Sequence, residues 1–196
     1  MPPSRRNELI DAAMRVFYKH GFHASSLDDV LNEGGISRMT LYNHFKSKDE
    51  LILAAMRRRD EIFRNKLMKF VDSRAKTPRE QIAAVFDFHE DWFTGNEFCG
   101  CMFINAAAEF SSADSAPRRL ASEHKQEIVR YLRDLCEQEG FQDPIEMAEQ
   151  LNILLEGAIV AARVVGQVAN NGENPGGPAR RAKEMALEIM DRAPKN

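Results

Sequence analysis

Apolar residues recur at helical spacing along nearly the whole chain, and alternating β-branched runs bounded by turns are missing. The pattern therefore predicts an all-α protein of about nine helices. The first runs from Ser4 to His20, with Ser4 as N-cap and Leu9, Ile10, Ala13, Val16 and Phe17 as one apolar stripe. Gly21 ends it. Ser26-Leu27-Asp28-Asp29 has the spacing of a capping box and opens a short helix that Gly34-Gly35 stops. Ser37 then caps a helix over Arg38 to Phe45, with Leu41 and Phe45 facing inward. Ser47 followed by Glu50 repeats the cap and starts a long helix from Lys48 to about Arg74. Pro at the first helical position marks two further starts, after Thr77 and after Asp143, the latter helix extending to about Asn170. A shorter helix near Cys101 to Phe110, one from Ser115 to Gly140 and one from Pro178 to Met190 complete the set; Asn170 to Gly177 reads as a linker turn.

The chain has 196 residues and a net charge of −3, a poor match at first sight to a nucleic-acid binder. The average hides an asymmetry. Residues 1–66 hold 12 Lys and Arg against 9 Asp and Glu, whereas residues 67–196 hold 15 against 21. Within the first part the excess lies between residues 37 and 66, a stretch that a solvated helix face would also explain. Three cysteines, Cys99, Cys101 and Cys136, form too sparse a set for a disulfide framework. With the start MPPSRRNELI lacking an apolar signal core, and no stretch apolar enough to span a membrane, a cytoplasmic address is expected.

Two short helices joined through Glu33-Gly34-Gly35-Ile36 have the layout of a helix-turn-helix, although an ordinary helix corner would look the same. The second helix adds Arg38, Thr40, Tyr42, Asn43 and His44, groups suited to bases and phosphates. No Gly-rich phosphate loop, G-x-S-x-G elbow, H-E-x-x-H or paired C-x-x-C occurs, so no enzyme can be assembled from motifs and neither a metal nor a cofactor is expected.

Gly21-Phe22, Ser25-Ser26-Leu27-Asp28-Asp29-Val30, Gly35-Ile36-Ser37 and the run Thr40 to Leu51, TLYNHFKSKDEL, together resemble the tetracycline-repressor family of bacterial transcription regulators. The resemblance implies a helix-turn-helix DNA-binding domain over residues 1–50 and a helical effector-binding and dimerisation domain over residues 51–196. It makes Arg38, Met39 and Thr40 readers of base edges, with Asn43 beside them, and Tyr42 and His44 phosphate contacts. Lys48, an ammonium at a helix N-terminus, and Ser26 are further candidates for phosphate. Packing alone would also account for Tyr42, and a plain surface position for Met39.

The resemblance further implies a homodimeric repressor on a palindromic double-stranded operator, released by a small molecule. Leu151, Leu154, Ala158, Ala162 and Val165, with Met185 and Ile189 on the last helix, are the candidate dimer contacts; internal packing would give the same stripe. Phe86, His89, Trp92, Phe93, Cys101 and Asn105 are the candidate effector contacts, in a composition that fits a pocket or a core. Gly100 to Glu109 is similar to a segment of family members that respond to electrophiles or oxidants. A thiol sensor using Cys99 and Cys101 is therefore one alternative, and a DNA-binding dimer without a ligand is another.

Overall fold

The computed structural model describes residues 4–165 and 177–196. Among them are nine α-helices: α1 (Arg5–His20), α2 (Leu27–Gly34), α3 (Arg38–His44), α4 (Lys48–Arg74), α5 (Pro78–Thr94), α6 (Met102–Glu109), α7 (Ala116–Glu139), α8 (Pro144–Val164) and α9 (Gly177–Arg192). The all-α expectation holds; one isolated bridge, between Phe141 and Lys195, is the only β pairing among the described residues. The expected linker at Asn170 to Gly177 and the last residues of the expected helix ending near Asn170 fall largely outside the described residues.

Local chemistry sets the helix starts. Ser4, Ser26, Ser37, Thr77 and Asp143 each accept a hydrogen bond from a backbone N–H in the first turn of their helix, and Ser26 and Thr77 complete reciprocal capping boxes with Asp29 and Glu80. Such caps matter most for α2 and α3, which have 8 and 7 residues and are too short to persist alone.

Two compact units emerge. The first comprises Met1–Arg64 and Cys101–His124, so it takes in α1, α2, α3, the beginning of α4, α6 and the beginning of α7. Its core collects Phe17 from α1, Phe22 from the following turn, Val30 and Leu31 from α2, Leu41 from α3, and Leu51, Ala55 and Met56 from α4, all buried. Between α2 and α3, Gly35 adopts φ +60°, a left-handed conformation that lets its N–H return to Leu31 and Asn32 while the chain turns sharply.

A polar knot also belongs to this unit. His124 of α7 is 4% exposed, lies flat on the Phe103 ring of α6 with centroids 3.8 Å apart, and places Nδ1 2.7 Å from Oδ1 of Asp60 on α4. Arg64 donates to both oxygens of the same carboxylate at 2.9 and 2.8 Å. Burial alone would push the Asp60 carboxyl upward, but His124 and Arg64 outweigh it and hold the group at about 2. A carboxylate depressed in the folded state stabilises the protein above its ordinary value of 3.8, and the benefit disappears as pH falls through about 2. In urea titrations, the stability lost between pH 5 and pH 2 is expected to be about 2 kcal/mol greater for the wild type than for Asp60→Asn. Equal losses in the two proteins would show that the knot holds no such charge.

The second unit comprises Asn65–Gly100 and Lys125–Asn196. In it α9 packs against α5 and α8 through Ala179, Ala182, Ala186 and Met190, small or flexible side chains that allow close approach. Ion pairs Lys183–Asp87, Arg180–Glu90 and Arg79–Asp191 tie α9 to α5. Burial pushes the Cys136 thiol of α7 up to about 12, which leaves it protonated and inert at neutral pH.

Candidate nucleic-acid interface

The second helix of the helix-turn-helix is short because its inner face has only two anchors. Leu41 and Phe45, one turn apart, are each 1% exposed, and every other position from Arg38 to His44 points partly or wholly outward. Ser37 Oγ accepts from Thr40 N at 3.2 Å and lies 2.9 Å from the Thr40 hydroxyl, while Phe45 N donates to Leu41 O and closes the other end. Seven residues are thus held by a cap at one end and a buried ring at the other.

What this arrangement displays is a convex polar ridge. Met39 is 74% exposed and Tyr42 53%; Arg38, Asn43 and His44 are also exposed, and Thr40 is half-buried. The exposure of Tyr42 excludes the core role that packing alone would have given it. Arg38 already has an internal partner: its guanidinium donates to Oδ1 of Asp28 on α2.

Lys48 and Ser26 stand elsewhere. Lys48, at the first turn of α4, is half-buried and donates through Nζ to the carbonyl of Ser25 at 2.5 Å, so its charge is held beside the α1–α2 turn. Ser26 is exposed at the start of α2, but its hydroxyl accepts from Asp29 N and donates to Asp29 Oδ2 at 2.7 Å. The hydrogen bonds from Ser26 hold the Asp29 carboxyl below its ordinary value. A carboxylate therefore occupies that helix start, and a phosphate there would meet like charge. Asp29 is legible in the sequence as the acid of the capping box with Ser26, whereas nothing in the sequence marks Asp28 as a partner of Arg38.

The expected effector residues divide between the units. Phe86, His89 and Phe93 are buried and Trp92 half-buried on α5 in the second unit, where His89 Nδ1 lies 2.7 Å from Val85 O. The rings of Trp92 and Phe93 meet Phe98 at 5.1 and 5.0 Å. Cys101 and Asn105 belong to the first unit; Cys101 is the buried N-cap residue of α6, and Asn105 is half-buried one turn on. Cys99 is half-buried and belongs to the second unit, as does the buried Cys136. No group of three His, Cys, Asp or Glu among the described residues could hold a metal ion.

Part of the expected dimer stripe on α8 faces its own chain: Leu151, Ala158 and Ala162 are buried in the second unit, whereas Leu154 is half-buried. On the outward side lie Ile153, Val160 and Val164, 69%, 45% and 65% exposed, with Gly157 open between them. Val165 and Met185 are exposed and Ile189 half-buried. No helix among the described residues is long and apolar enough to cross a membrane.

Comparison with known proteins agrees with this geometry. Residues 9–55 match the family described as bacterial regulatory proteins, tetR family. Over 167 residues the chain is 29% identical to the HTH-type transcriptional repressor ComR of Escherichia coli K12, covering 81% of this chain and 79% of ComR. The match to the HTH-type transcriptional activator FasR of Mycolicibacterium smegmatis is 39% identical over 90 residues, 44% of this chain and 41% of FasR. A TetR-family transcriptional regulator from Streptomyces coelicolor superposes with a TM-score of 0.84 at 26% identity, over 95% of this chain and 94% of that one. Its helix-turn-helix, its nine described helices and these relatives agree: residues 9–55 carry the DNA-binding region of the tetR family of bacterial regulatory proteins, and the chain is similar over most of its length to TetR-family transcription regulators.

Proposed function

We propose that the protein is a homodimeric repressor that holds a palindromic operator through α3 and is released when a small molecule binds its C-terminal part. The observation that carries this reading is the outward ridge Arg38, Met39, Tyr42 and His44 standing on the two buried anchors Leu41 and Phe45. A seven-residue helix fixed from beneath can enter a major groove with its orientation set, and its exposed hydrogen-bonding groups suit phosphates and base edges. Arg38, Met39, Thr40 and Asn43 take the base-edge role and Tyr42, His44 and Lys48 the phosphate role; Ser26 contributes by holding the start of α2.

Dimerisation follows from the need for two recognition helices about 34–36 Å apart. Its proposed contact is the outward face Ile153, Gly157, Val160 and Val164, whose apolar side chains have no use in a lone helix. Residues 1–50 are the reading domain and residues 51–196 the sensing and dimerisation domain. For the effector, the aromatic cluster around His89, with Phe86, Trp92 and Phe93, has the largely apolar composition with a few polar groups of a small-molecule site. Release requires that the ligand favour a conformation that binds DNA poorly. Thiol sensing is the weaker reading, since Cys101 is only 5% exposed and an oxidant has to reach the sulfur.

Selection from a random-sequence duplex pool supplies the operator. An enriched inverted repeat supports the reading, and a pool that stays unenriched refutes it. With the selected duplex in hand, Arg38→Ala is expected to cost about 1–3 kcal/mol of binding and to relax discrimination at one base pair. Lys48→Ala is expected to weaken all duplexes alike and lower the salt slope by about 1. An Arg38→Ala protein that ranked every duplex as the wild type does would remove Arg38 from base reading.

A further inference from the structure

The turn between α1 and α2 is held from 87 residues away. Glu109, the last residue of α6, receives the backbone N–H of Phe22 on Oε1 and Oε2 at 3.0 and 2.9 Å, and that of His23 on Oε2 at 2.7 Å. His23 Nε2 lies 3.1 Å from the carbonyl oxygen of Glu109, and the adjoining Phe110 ring packs on Phe22 and His23 at 5.6 and 4.7 Å. Gly21 makes room for this. Its φ of +87° suits glycine, and a Cβ there would stand 2.9 Å from Glu109 Oε1. Consecutive backbone N–H groups turned toward one carboxylate form a small anion seat, and hydrogen bonds to an ionised acceptor are about twice as strong as neutral ones.

The seat connects in both directions. Gly21 O accepts from the buried Ser25 hydroxyl at 2.6 Å, and Ser25 O accepts from Lys48 Nζ at the start of α4. At the other end of α6, Phe103 lies flat on His124, which is hydrogen-bonded to Asp60. A helix of 8 residues, about 12 Å long, is stiff enough that a shift at Phe103 must move Glu109. The seat therefore anchors the reading head to a helix that belongs, by chain position, to the regulatory part.

We propose that Glu109 is the positioning residue that transmits the placement of α6 to the reading head, keeping the α1–α2 turn and the start of α4 in the arrangement that binds DNA. This rests on the reading above that α3 docks on DNA. A surface turn can give its N–H groups to water; here they are committed to a charged group on a distant helix, which makes the geometry of the turn depend on where that helix stands.

The test uses the full-length chain, a duplex selected by the wild type from a random pool, and Glu109→Gln, Phe103→Leu and the double variant. Glu109→Gln is expected to weaken duplex binding by roughly threefold or more while the melting curve keeps its shape, and to speed amide exchange at Phe22 and His23 but not within α1. Phe103→Leu is expected to weaken binding as well, and the double variant to bind as Glu109→Gln does, because the link is already cut. If Glu109→Gln fails to fold, Glu109→Asp, which keeps the charge and shortens the reach, replaces it. Wild-type affinity in either single variant, losses that multiply in the double variant, or unchanged exchange at Phe22 and His23 would each overturn the proposal. A wild type that selects no duplex overturns the DNA reading itself and the proposal with it.

Discussion

Replacing Phe45 with alanine is expected to remove about 3–5 kcal/mol of stability and to abolish duplex binding. The ring is 1% exposed, closes the C-terminal end of α3 and carries the Arg6 guanidinium 5.1 Å from its centroid. Truncation removes the apolar contacts of a whole ring and leaves a cavity, a large fraction of the roughly 5–15 kcal/mol that holds a typical domain together. It also removes one of the two side chains that fix α3 in place. Tyr42→Ala, three residues earlier and 53% exposed, provides the contrast: its stability is expected to stay within about 0.5 kcal/mol of wild type while binding falls. Urea titrations and gel-shift titrations of both variants separate anchor from reader. An unchanged midpoint for Phe45→Ala would mean that α3 is held by something other than its buried ring.

The second large effect is expected from Val160→Glu. Val160 sits at the middle of the outward face of α8 and is 45% exposed, so the substitution costs the lone chain little. In a helix–helix contact the same carboxylate would lose its water and find no counter-charge, a penalty of several kcal/mol per ion and two ions per symmetric contact. Sedimentation is expected to show a dimer for the wild type and a monomer for Val160→Glu. Binding to a duplex with two half-sites is expected to fall by about 10²-fold or more, since each half then binds separately, while melting stays close to wild type when extrapolated to low concentration. A Val160→Glu protein that still sediments as a dimer would move the contact to another surface.

Much of this molecule is written in short-range signals. Ser4, Ser26, Ser37, Thr77 and Asp143 were each legible as helix starts because a cap acts over three residues, and all five cap their helices in the structure. The polar ridge of α3 was legible for a similar reason: one turn of spacing places Leu41 and Phe45 inside and leaves the remaining side chains outside. α8 defeated the same logic. It is apolar on two sides, Leu151, Ala158 and Ala162 on one and Ile153, Val160 and Val164 on the other, and periodicity cannot say which side its own chain covers.

The pairings that cross the chain left no pattern at all. Asp60 and His124 are 64 residues apart, and Glu109 and Phe22 are 87 apart. Each is an ordinary residue until the fold brings its partner near. The same holds for Asp28, whose role toward Arg38 depends on the angle at which α2 meets α3.

That last pairing bears on how the protein searches for its site. Both side chains of the pair are exposed, and water screens their attraction, so Arg38 can leave Asp28 cheaply when a better acceptor is offered. If α3 reads DNA as proposed, the guanidinium would have a place to rest on Asp28 while the head meets arbitrary sequence, and would exchange one acceptor for another where a suitable base edge is offered. A mismatched base would then compete with a carboxylate as well as with water.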